Sequence, residues 1–442
     1  MISTKDFSKL RVLVVGDIML DKHIYGEVNR ISPEAPVPVL KVERESYNPG
    51  GAANVADNLI SLGVKTYLAG TTGNDDQGRI LLDILNKKNI DTSCIVKTSK
   101  PTIHKIRGLS RLRSEVHQHL IRIDYEDNSN ISEEDENKLL NLIENLITEI
   151  DGIILSDYAK GTLTKGLLVK VIDLAKENNK LITADCKPIN VGLYKNVDLL
   201  KPNKKEAIEM TLTKDLEKAG KILSEKLNSN IVITEGSDGC TLFEKNKNQI
   251  KIPAINKKFQ DVAGAGDAFL SVLTVALLLT SNFKESVELA NRAANIVVNE
   301  PGVTTITKEK LERDFTNEIK IVSKEWGEEH LLVNNEKYCG KKMFIKEGYY
   351  CSYHKHKIKE ETFYILDGEI EIIHKGNYLK VKSGETLHIN PGEYHSFRAL
   401  KDTIFFEFST QHLDEDNYRL TKSNQGTHEQ WKEEIEKATK NE

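Results

Sequence analysis

The 442-residue sequence predicts two folds in series: an α/β fold built on a doubly wound parallel sheet, followed by a small all-β barrel. Over the first three quarters, short apolar runs alternate with amphipathic stretches, which is typical of parallel strands joined by helices. After about residue 307, closely spaced strand patterns with glycine turns continue to about residue 410. A chain of this length exceeds one ordinary core, so we predict domains at 1–315 and 325–425.

The strand candidates of the first region are almost continuously apolar, as expected for parallel strands that helices cover on both faces. These candidates are Val12–Val15, Lys65–Ala69, Gly152–Leu155, Leu181–Ala184, Val197–Lys201 and Ile231–Thr234. The helix candidates between them are Ala52–Leu62, Gly78–Lys87, Glu136–Ile147, Lys165–Glu177 and Leu216–Leu227. Ligands of such sheets bind at the carboxyl ends of the strands, so the polar residues that follow these runs are candidate site residues.

Two early segments, Asp21–Tyr47 and Thr102–Tyr125, carry alternating strand patterns without a helix signal. We expect them to form a small sheet that projects from the main one, as a lid over a site or as a dimer contact. The segment Arg111–His117 is expected to lengthen this lid.

The composition indicates a globular protein and argues against several classes of function. Apolar residues make up 39% and charged residues 29% of the chain, and the net charge of −5 arises from interspersed charges, so we expect no nucleic-acid partner. Apolar runs of membrane-spanning length and a secretory signal are missing, so we expect a cytoplasmic protein without a membrane partner. The five cysteines fit neither a disulfide framework nor a thiolate metal site, and we expect them to be buried.

Residues 261–267, Asp-Val-Ala-Gly-Ala-Gly-Asp, precede an alanine-rich helical run and are the most informative stretch of the chain. The two glycines allow a tight turn in which successive backbone N–H groups converge at a helix N-terminus. Such a nest attracts anions through its unpaired donors and the helix dipole. A carboxylate beside it can take a proton from an attacking hydroxyl, which predicts phosphoryl transfer to an alcohol. The candidate catalytic groups are the Asp267 carboxylate and the backbone N–H groups of Ala263, Gly264, Ala265 and Gly266.

Two further motifs at strand ends suit a nucleotide and its metal ion. Asn203 and Glu206 lie one helical turn apart after a predicted strand, where their polar ends can hold a magnesium-bound water. Thr234, Gly236 and Gly239 follow another predicted strand, and the glycines permit close approach of the backbone to a nucleotide.

Two motifs near the N-terminus suit a hydroxyl-rich ligand. Asp21 follows the first strand, where its carboxylate can accept hydrogen bonds from ligand hydroxyls. Gly50 and Gly51 directly precede a predicted helix, and Asn54 lies one turn inside it. These residues are candidate ligand-binding residues.

Over roughly residues 8–307, these elements resemble the PfkB/ribokinase family of carbohydrate kinases and follow one another in the same order as in that family. Both family signatures are present, the Gly-Gly…Asn element and the Gly-Ala-Gly-Asp element. The resemblance implies a ribokinase-like fold, a β lid, ATP and Mg²⁺ as cofactors, and Asp267 as the base that acts on a sugar hydroxyl. The nucleotide and magnesium contacts that it implies are Asn203, Glu206, Thr234, Gly236, Gly239 and Asn295. The sugar contacts that it implies are Asp21, Gly50, Gly51 and Asn54.

Within this family the chain is most similar to the kinase part of bifunctional heptose 7-phosphate kinase/heptose 1-phosphate adenylyltransferases. The similarity lies in Val15–Asp21, Asn29–Val39, Pro49–Ala56, Thr102–Arg107, Leu120–Asp124 and Ser156–Gly161. It implies phosphorylation of D-glycero-D-manno-heptose 7-phosphate to the 1,7-bisphosphate, and the alternative is another kinase of this family with a hexose or pentose substrate. Arg107, Arg122 and Lys160 are candidates for the substrate phosphate, although each alone is more often a surface charge. A His-x-Gly-His motif is missing from the sequence, so adenylyl transfer is not expected.

Residues 348–368 read Gly-x5-His-x-His-x4-Glu-x6-Gly. Alternate residues of a strand share a face, so His354 and His356 can both face the interior of a barrel. Glu361 and the later His395 would complete a set of three histidines and one carboxylate, which suits Zn, Mn, Fe, Co or Ni. The pattern matches the first motif of the cupin family at every fixed position, and the resemblance implies a metal-binding cupin barrel.

The segment Phe405–His412 is similar to small cupins of the D-lyxose isomerase and sugar-phosphate isomerase type. This resemblance implies a metal-dependent isomerase with Glu407 as its base, and the alternative is a non-catalytic sugar-binding, regulatory or assembly module. We expect the protein to bind a sugar phosphate and to form a homodimer through the lid, with the cupin as a second contact. The tail Glu429–Glu442 is expected to be a charged helix that serves only solubility.

Overall fold

In a computed structural model, the chain folds into two compact units, Met1–Glu312 and Arg313–Glu442. The structure describes residues 4–111, 117–255, 264–299, 304–316, 320–413 and 415–440, and strands and helices are numbered in chain order. Within these ranges, no helix is both long and apolar enough to cross a membrane.

The first unit contains thirteen strands within the described residues, and nine of them form its main sheet in the order β13-β12-β11-β10-β9-β8-β1-β4-β5. All pairings from β11 to β5 are parallel, whereas β12 and β13 are antiparallel at one edge. The strands are β1 (Arg11–Gly16), β2 (Ile18–Ile31), β3 (Pro38–Gly51), β4 (Lys65–Gly73), β5 (Asp91–Thr98), β6 (Ile103–Arg111), β7 (His117–Tyr125), β8 (Gly152–Ser156), β9 (Leu181–Asp185), β10 (Leu199–Leu200), β11 (Asn230–Thr234), β12 (Cys240–Phe243) and β13 (Ile250–Ile252).

Amphipathic helices cover this sheet, and polar side chains fix where several of them begin. Asp75, Ser132 and Thr164 each accept a hydrogen bond from a backbone N–H of the first turn, which caps α2, α3 and α4. Helices α3, α4 and α6 contribute to one apolar core, and α7 is buried along most of its length. The helices are α1 (Ala52–Ser61), α2 (Asp76–Lys87), α3 (Glu133–Leu146), α4 (Lys165–Glu177), α5 (Lys204–Thr211), α6 (Leu216–Leu227), α7 (Ala265–Thr280), α8 (Phe283–Val298) and α9 (Lys308–Thr316).

The two early alternating segments form a separate four-stranded sheet in the order β3-β2-β6-β7, as predicted. Strands β2 and β3 pair over most of their 14 residues, which gives the sheet its length. The predicted lid extension at Arg111–His117 falls largely on residues 112–116, which lie outside the described residues.

The sequence correctly predicts six strands of the main sheet and misses three. Strand β5 escapes detection because only alternate positions of its second half are buried, so no continuous apolar run marks it. Strands β12 and β13 are short and antiparallel, which departs from the purely parallel sheet that the sequence predicts. All five cysteines are buried, as expected.

The second unit is an all-β fold of two antiparallel sheets with one C-terminal helix, which confirms the predicted fold class. One sheet has the order β14-β15-β16-β24-β19-β22 and the other β21-β20-β23-β17-β26, with β18 and β25 attached to the second. The elements are β14 (Lys320–Lys324), β15 (Gly327–Asn334), β16 (Cys339–Ile345), β17 (Tyr349–Tyr350), β18 (His354–Lys355), β19 (Glu361–Asp367), β20 (Glu369–His374), β21 (Asn377–Lys382), β22 (Thr386–Ile389), β23 (His395–Ala399), β24 (Thr403–Ser409), β25 (Tyr418–Arg419), β26 (Asn424–Gln425) and α10 (His428–Thr439).

Helix α10 corrects the expectation that the tail serves only solubility. Trp431 and Ile435, four residues apart on one face, are buried against Tyr350, Tyr353 and Ile373. The indole Nε1 of Trp431 also donates a hydrogen bond of 3.1 Å to the Ser396 hydroxyl. The expectation was wrong because most charges of this segment lie on the exposed face of the helix, while its other face packs on the barrel and Glu434 accepts a hydrogen bond of 2.7 Å from the Tyr350 hydroxyl.

Candidate active site and candidate metal centre

The first candidate site lies at the N-terminus of α7. Gly264 precedes the helix with a φ of 82°, in the left-handed region that glycine adopts without strain, and no side chain caps the first turn. Asp267 lies in this turn and accepts two hydrogen bonds, from Asn54 Nδ2 at 2.6 Å and from the Tyr158 hydroxyl at 3.0 Å. Ala263, the first predicted member of the anion cradle, lies outside the described residues.

The Asp267 carboxyl has an environment suited to proton transfer. Burial raises its pKa to about 6, although the hydrogen bonds from Asn54 and Tyr158 and the charge of Lys201 oppose the rise. At neutral pH the group is therefore largely ionised, yet it binds a proton more readily than an exposed aspartate. These are the properties of a general base.

A cavity of about 600 Å³ opens beside Asp267. It collects predicted residues from four separate parts of the chain, three of which lie at or just after strand ends or at helix starts, while the fourth, Asn295, belongs to the last turns of α8. The predicted residues that line it are Asn203, Glu206, Thr234, Gly236, Gly239, Gly264, Ala265, Gly266, Asp267 and Asn295.

Two lysines and an aspartate of this cavity were not found from the sequence. Lys201 is almost fully buried and forms an ion pair of 2.7 Å with Asp185, while Lys187 pairs with Glu206 at 2.7 Å. A side chain at Gly266 would approach Lys201 Nζ to 3.5 Å, so this ammonium lies next to the N-terminus of α7. Their position at or just after the ends of β9 and β10 could have identified them from the sequence, because parallel strands present ligand-binding groups there.

Asn203 and Glu206 also have a structural role, because they form the capping box of α5. The Asn203 side chain accepts from the Glu206 N–H at 2.9 Å, and the Glu206 carboxylate accepts from the Asn203 N–H at 3.0 Å. One carboxylate oxygen of Glu206 contacts Lys187. The carboxylates of Asp185 and Glu206 therefore both face the cavity, and oxygen ligands of this kind suit Mg²⁺.

The candidate sugar residues lie where the small sheet joins α1. Gly50 and Gly51 end β3, and a side chain at Gly50 would approach Asp21 Oδ2 to 2.8 Å. Asp21 accepts a hydrogen bond of 2.6 Å from Arg107 Nη1, while Asn54 contacts Asp267 directly. Asp21, Gly50, Gly51 and Asn54 are thus close to one another and, through Asn54, to the candidate base.

The other two predicted phosphate-binding cations have carboxylate partners on the small sheet or beside it. Arg122 makes two hydrogen bonds to Asp124, and Lys160 contacts Glu126 at 2.7 Å. Neither cation lines the cavity beside Asp267. The register of β6 and β7 places Arg122 directly opposite Arg107.

The second candidate site is a histidine cluster inside the second unit. His354, His356 and His395 can each present one ring nitrogen so that the three atoms lie within 4.8 Å of one another. In every ring Nδ1 lies next to a backbone carbonyl, that of Ser352, Asp416 or Glu393 respectively. Nδ1 therefore carries the proton, and Nε2 of each ring is free to bind a metal.

Glu361 completes this cluster. It is buried, and its Oε2 lies 3.1 Å from His395 Nε2, yet within the described residues neither atom has a hydrogen-bond partner. Burial and the neighbouring His395 hold the pKa of His354 well below its usual range, so that ring is neutral, the form that binds metal. Two buried polar atoms without partners, Glu361 Oε2 and His395 Nε2, within a cluster of three histidines fit a divalent cation.

A cavity of about 650 Å³ surrounds the cluster and contains a second set of buried charges. Lys359 bridges the carboxylates of Glu361 and Glu407. Lys341 lies 3.0 Å from Glu329 and 3.8 Å from Glu407. This alternation places the buried Glu407 carboxylate, paired with the ammonium groups of Lys359 and Lys341, next to the metal-binding residues.

Comparison with known proteins assigns both units to families. The sequence matches the pfkB family carbohydrate kinase over residues 9–310 and the cupin domain over residues 342–407. It is 39% identical to the bifunctional protein HldE of Haemophilus influenzae (strain ATCC 51907 / DSM 11121 / KW20 / Rd), over 70% of this chain and 64% of that protein. It is 40% identical to the bifunctional protein HldE of Helicobacter pylori (strain Shi470), over 68% of this chain and 65% of that protein. The chain thus spans somewhat less than two thirds of both relatives.

Among solved structures, phosphofructokinase-2 of Escherichia coli in complex with potassium has the fold of the first unit. The TM-score is 0.58 at 19% identity, over 69% of this chain and 98% of that one, a likeness that concerns the fold alone. The family matches and the identity to the HldE proteins carry the assignment further. The chain belongs to the pfkB family of carbohydrate kinases and carries a C-terminal cupin domain.

Proposed function

We propose that the first unit transfers the terminal phosphoryl group of ATP to D-glycero-D-manno-heptose 7-phosphate and so forms the 1,7-bisphosphate. The observation that carries this proposal is the Asp267 carboxylate, held at an uncapped helix N-terminus on the wall of a 600 Å³ cavity. The sequence resemblance to heptose 7-phosphate kinases, together with the similarity to HldE proteins, supports a heptose phosphate as the acceptor, and a hexose or pentose is the alternative.

In the proposed reaction, Asp267 takes the proton of the acceptor hydroxyl while that oxygen attacks the terminal phosphorus of ATP and ADP leaves. The free N–H groups of Ala265 and Gly266, with the Lys201 ammonium nearby, stabilise the negative charge on the transferring group. Asp185 and Glu206 would hold Mg²⁺, which neutralises charge on the nucleotide phosphates. Losing one hydrogen-bond donor to the transferring phosphoryl group typically raises the activation barrier by about 3 kcal/mol.

The small sheet supplies the proposed acceptor site. Asp21 and Asn54 bind sugar hydroxyls next to the base, and Arg107, Arg122 and Lys160 bind the phosphate that the acceptor already carries. In the structure each of these cations has a carboxylate partner, so the substrate phosphate replaces that partner on binding.

The test of this function is ADP release from the full-length protein with ATP and a panel of phosphorylated heptoses, hexoses and pentoses. We expect heptose 7-phosphate to give the highest kcat/KM and Asp267→Asn to lower it by roughly 10²–10⁴-fold. The matched control is Asp173→Asn, at an exposed position of α4. Full activity of Asp267→Asn contradicts the mechanism, and preference for a hexose or pentose contradicts only the heptose assignment.

For the second unit we propose that His354, His356, Glu361 and His395 hold a divalent transition metal, and that the site isomerises a sugar. A bound divalent cation polarises a sugar carbonyl and its neighbouring hydroxyl. Glu407 would move a proton between the two adjacent carbons, and the contact with the Lys359 ammonium orients this carboxylate. The test is protein freed of transition metal and assayed with Mg²⁺ and ATP, which should lose aldose–ketose exchange and keep ADP release.

A non-catalytic cupin that binds a sugar for regulation or assembly is the second candidate. It is favoured if no exchange occurs with any of the candidate metals while truncation after about Thr307 changes the oligomeric state or the regulation of ADP release. We also propose a cytoplasmic homodimer through the small sheet. Its described strands expose large apolar side chains, including Ile31 at 59%, Val42 at 52% and Ile121 at 57%.

A further inference from the structure

Among the described residues, one wall of the cavity in the second unit carries two cations without carboxylate partners. Its deep lysines, Lys341 and Lys359, have carboxylate partners. Arg419 and Lys422 line the same cavity at its outer wall, and among the described residues neither has a carboxylate within ion-pair distance. Arg419 donates from Nε to Asn417 Oδ1 at 3.2 Å, which leaves its terminal nitrogens for a ligand.

This cationic wall is held close to the histidine cluster. Strand β18 pairs with strand β25, and in this pairing Arg419 lies directly opposite His354. The Arg419 side chain therefore starts from the strand that neighbours a candidate metal ligand. Side-chain hydroxyls of the segment that follows accept hydrogen bonds from backbone N–H groups, Thr421 Oγ1 from Tyr353 N at 2.8 Å and Ser423 Oγ from Ser352 N at 3.3 Å. The wall is therefore anchored to the segment that carries the cluster.

We propose that Arg419 and Lys422 bind the phosphate of a phosphorylated sugar whose hydroxyl and carbonyl oxygens face His354, His356 and His395. A guanidinium can donate hydrogen bonds to two phosphate oxygens at once, and the lysine ammonium beside it adds electrostatic attraction without a fixed geometry. A neutral sugar would leave both cations unmatched. The inference rests on the proposed metal site and adds the class of its ligand, which is the class of acceptor that we propose for the kinase site.

Tryptophan fluorescence of the full-length protein can separate this site from the kinase site. Both tryptophans of the sequence, Trp326 and Trp431, belong to the second unit, and Trp326 lines the cavity. Without ATP, mannose 6-phosphate and mannose serve as probes. We expect the phosphorylated sugar to change the emission with a Kd at least about tenfold lower, since hydrogen bonds to charged groups are the stronger ones.

Arg419→Gln should raise the Kd of mannose 6-phosphate roughly tenfold or more and leave that of mannose unchanged. Lys380→Gln, at an exposed position of β21 outside the cavity, is the control and should change neither. Equal Kd values for the two sugars, no emission change with either, or an equal loss for both in Arg419→Gln overturns the inference. The metal content of the same samples separates the proposed metal site from the proposed phosphate site. If protein without metal still binds the phosphorylated sugar more tightly, the metal site is contradicted and the phosphate site is not.

Discussion

The two candidate sites of this chain are assembled from the sequence in opposite ways. Asp267 takes its hydrogen bonds from Asn54 and Tyr158, which lie 213 and 109 residues away. In the second unit, His354 and His395 lie directly opposite each other on paired strands, and the remaining candidate ligands fall between them in the sequence. The first site therefore depends on the packing of distant elements, whereas the second depends on the register of neighbouring strands.

Because of this difference, we expect a substitution that abolishes the function of one site to leave the function of the other site intact. Trp431→Ala is the change with the largest expected effect, because it empties a buried position of α10 and removes the hydrogen bond to Ser396. We expect the second unit to lose about 3–5 kcal/mol of its free energy of unfolding. The measurement is urea unfolding followed by the fluorescence of Trp326, the remaining tryptophan.

Trp431→Phe is the control for this prediction, since it keeps an aromatic ring and should lose less. ADP release should be unchanged in native buffer for both variants. A loss below about 1 kcal/mol in Trp431→Ala would mean that α10 does not stabilise the barrel.

His395→Ala tests the local character of the second site at its centre. The substitution removes one imidazole and leaves the Glu361 carboxylate buried without its neighbour. We expect the affinity for a divalent transition metal to fall by more than about 100-fold, beyond the loss usual for residues that only orient a ligand. Competition with a chelator and elemental analysis measure it.

The matched control is His388→Ala, because His388 is exposed on β22 and pairs with Glu360. It should keep full metal affinity, and both variants should keep ADP release. Equal metal binding by His395→Ala and the unaltered protein would exclude the cluster as the metal site.

The features that the sequence predicted well are those with a local period. Helices α4 and α6 have the predicted bounds, because an apolar side chain every three or four residues marks them directly. The histidine cluster was likewise visible from a two-residue alternation on a strand. Strands β5 and β13, at the two edges of the main sheet, were missed, since what stabilises an edge strand is its pairing with a neighbour rather than a continuous apolar run.

The features that the sequence could not provide are contacts across long separations. The Gly-Ala-Gly-Asp motif predicted an anion cradle with a base beside it, but not the pKa of about 6 that burial gives Asp267. Tyr158 and Lys201 belong to segments that were singled out for other reasons, and their approach to Asp267 requires the folded sheet. The charge alternation of Lys341, Lys359 and Glu407 also arises only when strands β16, β19 and β24 pair.

The pH dependence of ADP release tests the long-range environment of the first site. A base must be ionised to accept a proton, so kcat should fall about tenfold per pH unit as the pH drops below the pKa of Asp267, which is about 6. If the acid limb of the kcat–pH profile lay near pH 4 instead, burial would not raise the pKa of Asp267. The substrate phosphate also titrates near pH 6, so the position of the limb alone does not assign it.

Tyr158→Phe resolves this ambiguity and has the smallest expected effect. It removes the hydroxyl that donates to Asp267 Oδ1 and keeps the ring that faces Lys187. The lost hydrogen bond is worth about 1 kcal/mol, so kcat should fall roughly fivefold with little change in KM. Because this hydrogen bond lowers the pKa of Asp267, the acid limb should move to higher pH in the variant. The substrate phosphate titrates identically with both proteins, so a limb that does not move would mean that it belongs to the substrate and that Tyr158 does not orient the base.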